Sequence, residues 1–168
     1  MVQLKPLSAA AIPAALQKAE HYRLLNQPWA AESICLDILQ AEPGHQKALR
    51  VLLLACTDQF GPENSARHTQ HARDALGRLT SAYERSYYAG IICERRAKAE
   101  IERHTTESGY AAYAWIRDAM EHFEAAEKLQ NAGDDNAILR WNSCVRLLHE
   151  SPNVVPRVSE RMEPVLGE

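Results

Sequence analysis

The residues of this chain whose spacing could serve chemistry are His68 and His71, within Arg67-His68-Thr69-Gln70-His71-Ala72-Arg73. Histidines three apart on a helix project from one side and can offer two imidazoles to one metal ion. Two ligands do not complete a site, a third would have to come from elsewhere, and Arg67 and Arg73 beside them oppose a cation. The pair therefore reads as solvated. Glu42 and His45 have the Glu-x-x-His spacing of helical di-metal sites, but Pro43 and Gly44 break the helix between them, so both side chains cannot enter one bundle core. Cys35, Cys56, Cys93 and Cys144 stand singly in apolar helical patterns, without the close pairs of a zinc knuckle or redox motif, and read as small buried hydrophobes. Trp29, Trp115 and Trp141 read as packing knobs. With no glycine-rich phosphate loop, nucleophile elbow or HExxH pattern, the sequence assigns no catalytic, metal or cofactor residue.

The 168 residues, 46% hydrophobic and 24% charged, suffice for a single core, and no composition shift divides the chain. A net charge of −3 gives no overall attraction to phosphate backbones, so nucleic acid is disfavoured as a partner. The run Arg95-Arg96-Ala97-Lys98 is surrounded by Glu94, Glu100 and Glu102 and reads as a solvated mixed-charge face. No apolar run approaches membrane-spanning length, and Lys5, Pro6, Pro13 and Gln17 interrupt the alanine-rich start, so neither a span nor a leader is expected. Single thiols suit the cytoplasm, where they stay reduced.

Helical periodicity runs from residue 8 to about 149 without the period-2 pattern of strands, predicting an all-α fold of about seven helices. The first, from about Ser8 or Pro13 to Leu25, carries Ala15, Ala19 and Tyr22 on one face and breaks at Asn26-Gln27-Pro28. Pro28 opens the second, which turns Trp29, Ile34, Ile38 and Ala41 inward and stops at Pro43-Gly44. The third starts near His45, aligns Leu49, Leu52, Leu53 and Cys56, and ends at Gly61-Pro62. The fourth, about Glu63 to Leu79, buries Ala66, Ala72, Leu76 and Leu79. Two longer helices carry Tyr83, Tyr87, Ile91 and Ile101, then Ala112, Ile116, Ala119, Phe123 and Ala126, with Ser and Thr residues between His104 and Gly109 able to cap the second of them. A seventh starts after Gly133-Asp134-Asp135, with Asp caps, buries Ile138, Trp141, Val145 and Leu148, and ends at Ser151-Pro152 as a terminal cap. Residues 1–150 read as one domain and 151–168 as a partly ordered tail.

Within this frame Ala19, Ala31 and Pro43 stand twelve residues apart, with Tyr22 beside the first and Cys35 beside the second. Small residues let two helix backbones approach closely, and the proline falls where the second helix must stop. The segment resembles one tetratricopeptide repeat, a 34-residue unit of two antiparallel helices, with Cys35 where a second aromatic is usual. A second unit is marked more weakly by Leu53, Cys56, Ala66 and Ala72. A third has Gly90, Ala119, Phe123 and Ala126, but Gly90 and Ala119 lie 29 residues apart and no proline follows at the usual distance.

The resemblance implies a right-handed superhelix of antiparallel helix hairpins, closed by a capping helix, whose first helices line a concave groove. It places Glu20, Arg23, Lys47, Arg50, Asp58, Glu84, Tyr87, Glu94 and Arg95 on that groove, and gives Ala19, Tyr22, Ala31, Pro43, Gly90, Ala119, Phe123 and Ala126 to repeat packing. The implied function is a protein–protein interaction scaffold, without catalysis or cofactor, for a protein or peptide partner. Some members of the family clamp the C-terminal carboxylate of chaperone peptides with lysine and asparagine; here Leu16, Glu20 and Val51 stand on the corresponding stretches, so that clamp is missing. One alternative is a self-associating homo-oligomer docking through a long apolar helix or the segment around Val154, Val155 and Val165. Another is an all-α metal-dependent enzyme built on His68 and His71.

Overall fold

A computed structural model of the protein describes residues 2–61 and 65–157. Among these residues there are seven α-helices and no strand: α1 (Ile12–Leu24), α2 (Pro28–Ala41), α3 (Gln46–Thr57), α4 (Ser65–Gly77), α5 (Ala82–Ile101), α6 (Thr106–Glu127) and α7 (Asn136–Glu150). A single 3-10 turn, Ala9–Ala11, leads into α1. The expected start of α4 at Glu63, the proline of Gly61-Pro62 and the tail from residue 158 lie outside the described residues.

Local signals explain the boundaries. Asn26, in the left-handed region at φ 56°, turns the chain out of α1, and Pro28 opens α2 where its missing N–H costs nothing. His45 Nδ1 accepts from the Ala48 N–H at 3.1 Å and caps α3, and Ser81 Oγ accepts from the Glu84 N–H at 3.2 Å and caps α5. Thr105 and Ser108 form a reciprocal capping box on α6, as the Ser and Thr content of that junction suggested. At α7 the Asp135 side chain makes no capping bond; Asp134 Oδ1 accepts from the Asn136 N–H instead, at 3.1 Å.

Each helix packs on the next, and α3 also touches both α1 and α5. Two apolar clusters result. The first, formed chiefly by α1 to α4, contains Leu16, Ala19, Ala31, Ile38, Leu49 and Leu53; the second, in α5 to α7, contains Ile91, Ile116, Phe123 and Cys144. They meet at Leu54 and Tyr88, which pack against both, while adjacent Ile91 and Ile92 of α5 belong one to each. Gly90 lies where α5 crosses α6, and an added Cβ would stand 2.5 Å from the Phe123 ring. Ala19, Ala31, Ala119, Phe123 and Ala126 are fully buried, Tyr22 is half-buried, and Pro43 is exposed in the turn after α2.

Several expected core positions lie outside. Trp29 is 62% exposed, because one step beyond Pro28 rotates it about 100° from the stripe of Pro28, Ala31, Cys35 and Ile38. Ala41 and Ala66 are exposed in terminal turns of their helices. On α7 the buried positions are Ala137 and Cys144; Ile138, Trp141, Val145 and Leu148 are half-buried, since among the other helices α7 packs mainly on α6. The segment after α7 returns to the start of α6. Val154 is buried there, the Asn153 carbonyl lies against Gly109, and Arg157 pairs with Glu107 and stacks over Tyr110 at 5.2 Å. Val154 is thus occupied within its own chain and is not an exposed self-docking residue; Val155 is 43% exposed, and Val165 lies outside the described residues.

Candidate functional site

The charged residues expected on a shared face converge along the row of α1, α3 and α5. Asp58, at the end of α3, accepts from Arg23 Nε of α1 at 2.7 Å through Oδ2 and from Arg95 Nη1 of α5 through Oδ1. One carboxylate thus joins three helices. Arg95 Nη1 also donates to Thr57 Oγ1 at 2.7 Å. Arg50 of α3 pairs with Glu84 of α5 at 2.7 Å, and Lys47 of α3 with Glu20 of α1 at 3.2 Å. The side chains of Arg23, Asp58, Arg50, Glu84 and Arg95 are 21–30% exposed, so the pairs are partly shielded from water, which strengthens them relative to fully solvated pairs.

Two members of the expected set stand elsewhere. Glu94 is 1% exposed and faces α7, pairing with Lys98 Nζ at 2.6 Å and Arg140 Nη1 at 3.4 Å. Its neighbour Arg95 points toward α3 because successive residues on a helix are about 100° apart. Tyr87 packs with Tyr83, Tyr88 and Phe123, at ring separations of 5.8, 5.3 and 5.9 Å, in the cluster of α5 and α6. The aromatic residue that joins the row is Tyr88. Its hydroxyl titrates above the ordinary tyrosine value, first through burial; Arg50 opposes that shift and Glu84 adds to it. The signal was present in the spacing: Tyr88 stands four residues after Glu84 and seven before Arg95, on their stripe of α5.

The basic run of α5 is not an open patch. Arg95 is held by Asp58, Arg96 by Glu100 at 3.1 Å, and Lys98 by Glu94. Arg96 and Arg73 also lie over the Trp115 ring, at 5.4 and 5.8 Å. All four thiols are buried, and burial pushes Cys35, Cys56 and Cys144 up to about 12 and Cys93 up to about 11, so they remain protonated at neutral pH.

His68 and His71 meet edge to face at 6.4 Å, yet the donors gathered around His71 come from other helices. Glu32 of α2, Cys56 of α3 and His71 of α4 each bring a possible ligand atom within 4.8 Å of the other two. The spacing of His68 and His71 gave no sign of this set.

Among the described residues, no helix is long and apolar enough to cross a membrane. No family model, curated protein or solved structure matches the chain.

Proposed function

We propose that the chain is a non-catalytic helical-repeat scaffold of the tetratricopeptide kind, its hairpins stacked as a right-handed superhelix, which binds an extended peptide or protein segment along the row of α1, α3 and α5. The observation that carries this reading is the bridging of all three helices by Asp58, with Arg23 and Arg95 on its two oxygens. Such a row presents partly shielded arginines, whose planar guanidinium groups suit peptide carboxylates and carbonyls. Tyr88 and Arg50 beside it are of the residue types that carry interface energy. The buried, unpaired thiols suit a reducing compartment such as the cytoplasm.

The test is selection from a displayed random-peptide library, followed by calorimetric titration of the enriched peptides against the wild type and equally folded Arg50→Ala and Tyr88→Phe variants. A loss of about tenfold or more in affinity for Arg50→Ala is expected, corresponding to roughly 1.4 kcal/mol. Failure to enrich any peptide, or binding that neither variant alters, overturns the reading. Acidic chaperone tails are expected to bind weakly, since Leu16 and Val51 are buried and offer no side-chain donor to a terminal carboxylate. Micromolar affinity for such a tail would contradict this.

A further inference from the structure

We propose that Glu32, Cys56 and His71 form a zinc-type metal site with three protein ligands and an open coordination position. The three donors come from α2, α3 and α4 and are brought together only by the fold, each within 4.8 Å of the others. One sulfur, one nitrogen and one oxygen make a mixed set that suits zinc and not the hard, all-oxygen shells of calcium or magnesium. With Cys56 as thiolate, Glu32 as carboxylate and His71 neutral, the ligand charge of −2 cancels that of a divalent ion. The bound assembly then places no net charge in a largely shielded site. On binding, the Cys56 S–H proton leaves to solvent as the sulfur–metal bond forms.

The surroundings resemble a supporting shell. Gln59 Nε2 donates to Glu32 Oε2 at 2.6 Å and to the Ala55 carbonyl at 3.2 Å, which fixes one carboxylate oxygen and leaves Oε1 facing His71 Nδ1 at 3.6 Å. Exposure rises from Cys56 at 0% through the Glu32 side chain at 17% to His71 at 42%, giving an ion a path that begins in water and ends at sulfur. Arg73, which the sequence sets beside His71, lies over Trp115 of α6. Arg67 is exposed, where water and salt screen it. Tetrahedral zinc holds its ligand atoms roughly 3.3–3.7 Å apart, so closure from separations within 4.8 Å requires shifts of about 1.5 Å at most, within reach of the Glu32 and His71 side chains.

The experiment uses the full chain, reduced and purified without a histidine tag, titrated with Co²⁺ and then with Zn²⁺. One equivalent of Co²⁺ is expected to give a sulfur-to-metal charge-transfer band that Zn²⁺ displaces. A hundredfold excess of Zn²⁺ over its Kd should raise Tm by about 5–10 °C. Cys56→Ser should abolish the band, His71→Gln and Glu32→Gln should weaken Co²⁺ binding at least tenfold, and Cys35→Ser should leave the band intact. Because Cys56 is a core residue, the exposed His71→Gln variant decides the matter if Cys56→Ser does not fold. Absence of the band, its loss in Cys35→Ser, or unaltered binding by His71→Gln overturns the assignment. None of these readouts depends on peptide binding.

Discussion

Asp58 is the residue on which the candidate surface turns. Its two oxygens hold arginines from helices on either side, 35 and 37 residues away in sequence, so its loss leaves both guanidinium groups without their shared partner. Asp58→Ala is expected to cost about 1–2 kcal/mol by urea unfolding, while Asp58→Asn, which keeps the shape and can still accept, should cost less. Equal stability of wild type and Asp58→Ala would mean that the bridge contributes nothing. Of the charged residues expected on one face, Glu20, Arg23, Lys47, Arg50, Asp58, Glu84 and Arg95 form ion pairs across α1, α3 and α5. Tyr87 and Glu94 were misplaced by a single step around α5, an error of about 100° that sequence spacing alone did not resolve. The donor set of Glu32, Cys56 and His71 was illegible for a different reason. Ligands 24 and 15 residues apart on separate helices leave no local motif.

At the scale of elements, the strongest punctuation in the sequence gave the clearest boundaries. Pro28 and the turn at Pro43-Gly44 bracket α2 almost to the residue, and of the two aspartates expected to cap α7 it is Asp134 that supplies the bond. The interior face was readable on α6, with Ala112, Ile116, Ala119 and Phe123, and less so on α7, whose main helix partner is α6, and in the terminal turns of α2 and α4, where Trp29, Ala41 and Ala66 are exposed. Among the described residues the α5–α6 pair is the most extensive helix contact, and it brings Gly90 against the Phe123 ring. Gly90→Ala places a methyl carbon 2.5 Å from the Phe123 ring, which is itself fully buried and cannot swing into solvent. The expected cost is about 1–3 kcal/mol. Phe123→Leu should relieve part of it, so the double variant should be more stable than the two single losses add up to. Strict additivity in urea unfolding would show that α5 and α6 adjust without using that contact.

For the whole molecule, the question is whether two apolar clusters behave as one. Stacked helices that touch only neighbours can lose cooperativity along the chain, each pair unfolding by its own stability and its seam. Here the seam between α4 and α5 is the least extensive between successive helices, and continuity is carried by Leu54 and Tyr88, which pack on both clusters, and by the salt bridges from α3 to α5. These links tie the smaller second core to the larger first one, so the described helices are expected to unfold in one transition. Tryptophan fluorescence weighted to Trp115 and Trp141 reports the second cluster, while far-UV circular dichroism reports every helix. The two urea midpoints should coincide in the wild type. Leu54→Ala removes side-chain volume shared by both clusters and should separate them, with the dichroism signal falling first as α1 to α4 unfold ahead of α5 to α7. Separate midpoints in the wild type would show that the clusters are independent. The Asp58 bridge would then join two units that fold apart and would set their relative placement more than their stability.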